Sequence, residues 1–248
     1  MKALGRWLGL AVLAFAGLQL FFVARIAVMA KVAPQSTSFQ RSEAWRIASE
    51  KGTLRWRQQW VAYSAISDHL KRAVIASEDD GFSNHDGVDW IALEKAWQKN
   101  TMAEQRAAIP KAAAKVASAQ STPKPPKMVG GSTITQQLAK NLFLSGERTL
   151  LRKGQEFILT MMLEVLLDKT RILELYLNNV EWGEGVFGAE AAAQHYYRKP
   201  ASQLGAYEAA RLAVMLPRPK YFEKLPNSAY LANRAGVITI RMGDAQLP

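Results

Sequence analysis

The longest apolar stretch runs from Trp7 to Ala24, WLGLAVLAFAGLQLFFVA, with Gln19 its only strongly polar member. A membrane span needs ~20 mostly apolar residues. A cleavable signal has a shorter apolar region, ~7–15 residues, ending at a small-x-small site. Ala14-Phe15-Ala16 has that form, but eight uncharged residues follow it before Arg25. The pattern therefore reads as an uncleaved anchor and flank over 7–30, behind a tail of residues 1–6. A buried core helix is the alternative, and it would be expected to show a polar face, which this stretch lacks. Lys2 and Arg6 precede the span and Arg25 and Lys31 follow it, so the positive-inside count is a tie. The short basic tail fits a cytoplasmic end with the rest of the chain outside.

Residues 31–61 read as a linker and membrane-proximal segment. Pro34, Ser36, Thr37 and Ser38 supply the loop signal, and Trp45, Trp56 and Trp60 lie among arginines. Rings with basic neighbours beside a span suit the lipid interface; packing aromatics are the equal alternative. Beyond Ser67 the apolar spacing turns helical. Asp68 can cap a helix through Leu70, Val74 and Ile75, and VDWIALEKAW (88–97) forms another. Gly130-Gly131 then breaks the chain before STITQQLAKNLFL, where Thr133 and Gln136 have capping-box spacing. Helices are expected over 148–168, 170–180 and roughly 203–216, the last stopped by Pro217. VITI (237–240) is the best strand candidate. The class is mainly α, with a principal domain over 62–222 and a C-terminal segment over 223–248.

Residues 99–127 differ in composition. They hold eight alanines, four prolines and six basic residues, and read as a mobile low-complexity insertion. Charge changes the picture here. The net +11 invites a nucleic-acid reading, but residues 1–31 carry +4 and residues 99–127 carry +5, leaving +2 for everything else. No nucleic-acid partner is expected, and basic groups beside a span suit anionic lipid. The absence of cysteine removes thiolate metal sites and cysteine nucleophiles, and three histidines make a histidine-rich metal site a poor fit.

Three constellations could carry chemistry. In EDDGFSNHDG (78–87), Glu78, Asp79 and Asp80 lie together beside Phe82. Clustered carboxylates and a neighbouring ring raise a carboxyl pKa, which is how a general base is tuned; a solvated turn is the equal alternative. Arg148, Arg152 and Glu156 follow at helical spacing with Lys153 beside them. Such a face suits a pyrophosphate, which guanidinium binds bidentately; a solvated salt-bridge face is the commoner case. Gly183-Glu184-Gly185-Val186-Phe187-Gly188 matches GxGxxG literally, but a helical pattern precedes it, so a helix-closing loop is the better reading.

Together, EDDGFSNHDG, GGSTITQQLAKNLFL, RTLLRKGQEFILTMMLE, KTRILELYLNNVEWGEGVFGAEAAAQHYY and EAARLAVMLPRPKYF stand in an order that resembles the family 51 glycosyltransferases, in their monofunctional transglycosylase form. The resemblance covers about residues 62–222. It implies a lysozyme-like helical domain and an inverting enzyme that polymerises lipid II into β-1,4-linked glycan, releasing undecaprenyl pyrophosphate. By matched motif Glu78 would be the general base, and Glu156 the second acid, orienting the reaction centre or holding a divalent cation such as Mg or Mn. Lys140, Arg148, Arg152 and Lys153 would neutralise the pyrophosphate, with Thr133, Gln136 and Asn141 in the substrate site. Asp79, Phe82 and His85 would support them. No organic cofactor is implied. The expected partners are lipid II, the growing strand, the membrane and other cell-wall synthesis proteins. The expected location is the bacterial cytoplasmic membrane, single-pass, with the domain outside. A lytic glycosidase on the same fold would not need the cations around Arg152, and a non-catalytic scaffold would not need Glu78 and Glu156.

Overall fold

A computed structural model describes residues 2–108, 131–144, 146 and 149–248. Its centre is helix α3 (Asp68–Glu78), because Leu70, Ala73, Val74, Ile75 and Ala76 leave almost no surface exposed. The cap is Ser67, whose Oγ accepts from the His69 N–H at 3.2 Å; Asp68 sits one step later and pairs with Lys71 at 2.8 Å. Two helices close over α3, α9 (Ala206–Met215) and α11 (Ala229–Arg241). Ala209, Ala210 and Ala213 are fully buried on α9, and such small side chains let backbones approach closely.

The expected VITI strand is the last part of α11. Leu231, Ala235 and Ile238 form one buried stripe at helical spacing, and burying that stripe outweighs the strand preference of β-branched residues. The C-terminal segment is therefore core: Met242 and Ala245 are also buried, and Ser83 Oγ donates to the Gln246 carbonyl at 3.0 Å.

Residues 38–51 are likewise no linker. They form α2 (Ser38–Lys51), packed on α5 (Ile134–Phe143). The loop-like run around Thr37 is its cap: Thr37 and Gln40 make a capping box, and Gln40 Nε2 also reaches Asn179. Ile47 is buried, Trp56 stacks on Phe187 at 4.5 Å between ring centres, and Arg171 lies over Trp60 at 5.4 Å. Packing thus claims Trp56 and Trp60, while Trp45 stays exposed. Helix α4 (Trp90–Ala108) continues through the first ten residues of the expected insertion, consistent with the helix-forming alanines, Lys99 and Gln105 there; residues 109–127 lie outside the described residues.

Helix α6 (Leu150–Leu166) and α7 (Lys169–Asn179) complete the floor beneath α5. Strand β2 (Glu181–Gly183) and β3 (Val186–Phe187) pair antiparallel, and β1 (Arg57–Gln58) adds parallel to β3. The glycines of the GxGxxG match serve this turn. Gly185 has φ +71°, and Gly188 (φ +85°) opens helix α8 (Ala189–Tyr197) pressed against the Asn178 carbonyl. Helix α10 (Pro219–Glu223) packs on β2.

Helix α1 (Lys2–Met29) is the one described helix long and apolar enough to cross a membrane, and most of it projects free of the domain. Its last turns do not. Ile26 and Met29 are buried, Arg171 Nε donates to the Met29 carbonyl at 2.8 Å, and the Phe22 and Phe143 rings meet at 5.2 Å. Gln19 and Gln155 exchange amide hydrogen bonds of 3.2 and 3.1 Å, tying α1 to α6. A boundary at residue 30 therefore cuts through core. Each buried side chain of this size is worth ~1.5–3 kcal/mol. A chain starting at residue 31 is expected to melt on the order of 10 °C below one starting at residue 20, by calorimetry in detergent.

Candidate active site

The site is organised by the start of α5. Thr133 caps it in the expected box with Gln136, and Thr133 Oγ1 also donates to the Gly87 carbonyl at 2.6 Å. Asp79 provides the second tie. One carboxylate oxygen accepts from the Ile134 N–H at 2.9 Å, and the other meets His85 Nε2 at 2.8 Å. Phe82 is fully buried under the Lys169 ammonium, which donates to the His85 carbonyl at 2.6 Å. Asp79, Phe82 and His85 thus lock the loop after α3 onto α5 and α7.

That lock fixes Glu78 at the end of α3. Its Oε2 accepts from Gln137 Nε2 at 3.1 Å, and the Gln137 carbonyl oxygen accepts from Tyr176 OH at 3.0 Å. Burial pushes the Glu78 carboxyl above its ordinary value, and the Asp79 charge adds to this; hydrogen bonds from Gln137 and Ser77 and the Lys140 charge pull the other way. The expected three-acid cluster is only partly formed. Asp80 is exposed and paired with Arg241 at 3.2 Å.

Glu78 lines a small cavity of about 190 Å³, and Ser132 joins it to a larger one of about 470 Å³. Gln136, Gln137, Lys140, Asn141, Arg152, Lys153 and Glu156 line the larger cavity. Glu156 is buried, and each of its oxygens meets a cation: Arg152 Nη1 at 3.1 Å on one, Lys153 Nζ on the other. Helix α6 begins after its cap, Thr149, and Arg148 lies outside the described residues.

Each Glu156 oxygen meets a cation, and among the described residues no three His, Asp or Glu side chains gather around it. What the site offers is a half-buried carboxylate beside a cavity with a cationic wall. That set can take a proton from a hydroxyl on one side and hold an anionic leaving group on the other.

Sequence reasoning missed Gln137, Tyr176 and Glu181. Gln137 carries the only local signal, as the second glutamine of the STITQQ run. Glu181 follows the helix of residues 169–179 and lines the larger cavity.

Comparison with known proteins agrees with this architecture. The transglycosylase family matches residues 46–109 and 107–243. The chain is 52% identical over 251 residues to the biosynthetic peptidoglycan transglycosylase of Burkholderia thailandensis, covering 100% of this chain and 90% of that one. It is 51% identical over 250 residues to the protein of that name from Burkholderia orbicola (99% and 94% covered), and 50% over 251 residues to that from Burkholderia pseudomallei (100% and 90% covered). A family match spanning both the Glu78 loop and the α6 cations, with half of all residues shared along the full length, places this chain in the transglycosylase family, a lysozyme-like helical fold.

Proposed function

We infer that the protein polymerises lipid II into peptidoglycan glycan at the outer face of the cytoplasmic membrane. The observation that carries this is the pairing of the Glu78 carboxylate, held by Gln137, with a cavity walled by Lys140, Arg152 and Lys153. In the reaction the 4-hydroxyl of the acceptor sugar attacks the anomeric carbon of the donor. Its proton passes to Glu78, the bond from that carbon to the pyrophosphate oxygen breaks, and undecaprenyl pyrophosphate leaves with inversion. Arg152 and Lys153, steadied by Glu156, meet the charge that develops on the leaving oxygens. A glycosidase acting on finished strands would not need that cationic wall. Helix α1 supports a lipid-borne substrate, since it puts the domain beside the membrane that carries it.

The test gives the purified full chain lipid II and, separately, preformed strands, with products read on glycan gels. Polymer from lipid II supports the reading; cleavage of strands without polymer overturns it. Arg152→Ala is expected to slow turnover by about 10–100-fold, since a charge-assisted contact is worth ~1.5–3 kcal/mol. The same variant also removes the Arg152 contact to buried Glu156, while Lys153 stays on its other oxygen, so a thermal melt should show a loss of about 1.5–3 kcal/mol.

A further inference from the structure

The larger cavity has a wall that the reaction above leaves unused. Glu181, on β2, lines the same cavity as the cations, with 6% of its surface exposed. Its Oε1 is buried and accepts no hydrogen bond. Its ion pair with Lys220 Nζ is long, 3.4 Å, and that ammonium is also drawn to Glu43. A buried carboxylate whose ion pair is long and shared keeps much of its desolvation cost, which a further donor would offset.

We propose that Glu181 is a donor-sugar contact, accepting a hydrogen bond from a hydroxyl or amide N–H of the amino sugar whose pyrophosphate lies on the Arg152 wall. This rests on the lipid II reading and deepens it. Chemistry selects the group. A carboxylate repels phosphate, so the anionic end must face Lys140 and Arg152 and an uncharged donor must face Glu181. The other lining residues agree, since Phe39, Val180 and Leu216 are in the same cavity and suit the C–H face of a sugar ring. Burial also pushes Glu181 up to about 7, against the Lys220 and Arg46 charges and with that of Glu43. In either protonation state the group keeps an oxygen that can accept.

The test measures lipid II binding by the full chain at equilibrium, and KM and kcat for polymerisation, in Glu181→Ala and Glu181→Gln. Both should melt near wild type. Glu181→Ala is expected to weaken Kd and raise KM about tenfold while kcat changes less than about threefold, and Glu181→Gln, whose amide oxygen still accepts, should recover most of the loss. Wild-type Kd and KM in a folded Glu181→Ala overturn the proposal. So does a loss confined to kcat, or a Gln variant as weak as Ala. Wild-type protein that binds lipid II without polymerising it overturns the polymerase reading alone, since the Kd series still decides on Glu181; wild-type protein that does not bind lipid II overturns both.

Discussion

Glu78→Gln is expected to abolish polymerisation while lipid II still binds. Removing a positioned base costs ~10²–10⁴-fold in rate, and the glutamine keeps the shape and an oxygen for Gln137 Nε2. Single-turnover glycan gels would read the rate and equilibrium binding the affinity; near-normal rate would transfer the base role elsewhere. The pH profile follows from the same burial. A base must be ionised to act, and burial raises the Glu78 pKa. The acidic limb of kcat/KM should therefore lie above the ~4.3 of an ordinary glutamate. Stability should run the opposite way. The folded state holds this proton more tightly than the unfolded chain, so Glu78 costs stability above its raised pKa. That cost is relieved as pH falls through the raised value toward ~4.3. Glu78→Gln should thus be more stable than wild type at neutral pH, and the gap should close as the pH is lowered.

Gly185→Ala is expected to be the most damaging single methyl in the domain. An added Cβ would sit 2.0 Å from the Arg55 carbonyl oxygen, a backbone atom that cannot swing away, and the residue is held at φ +71°. The left-handed conformation alone costs an L-residue ~1–2 kcal/mol. Relief of the clash would push β1 from β3 and break the hydrogen bond from the Arg57 N–H to the Gly185 carbonyl, 2.8 Å long. A loss of about 3–5 kcal/mol should lower Tm by about 10 °C or more. Gly236→Ala is the control. It lies in α11 with nothing within 4 Å of a Cβ, and should be neutral or stabilising by up to ~1 kcal/mol. Equal melts for the two variants would contradict the packing of this turn.

The features legible in the sequence are those whose partners are near in the chain. The Thr133–Gln136 box, and Arg152 and Lys153 on Glu156, are contacts three or four residues apart, and they form as spaced. The same local logic misled where distant contacts decide. The serines and threonine near residue 37 read as loop because a cap and a loop use the same side chains, and only the packing of Ile47 and Gln40 distinguishes them. Residues 237–240 read as strand because nothing local reveals that Ile238 shares a stripe with Leu231. In the site, Gln137 and Glu78 are 59 positions apart. Their meeting depends on Asp79 joining the α3 loop to α5, which no spacing rule encodes.

The amide pair between Gln19 and Gln155 makes the anchor a lever. Gln155 adjoins Glu156, so α1 is joined to the helix that carries Arg152, Lys153 and Glu156. Helix α1 is 28 residues, about 42 Å at ~1.5 Å per residue, but its turns from Gln19 to Met29 lie against the domain, so about 17 residues, ~26 Å, project beyond it. The projecting length is therefore joined to the domain through packed helix and the Gln19–Gln155 pair, with no flexible joint at its root.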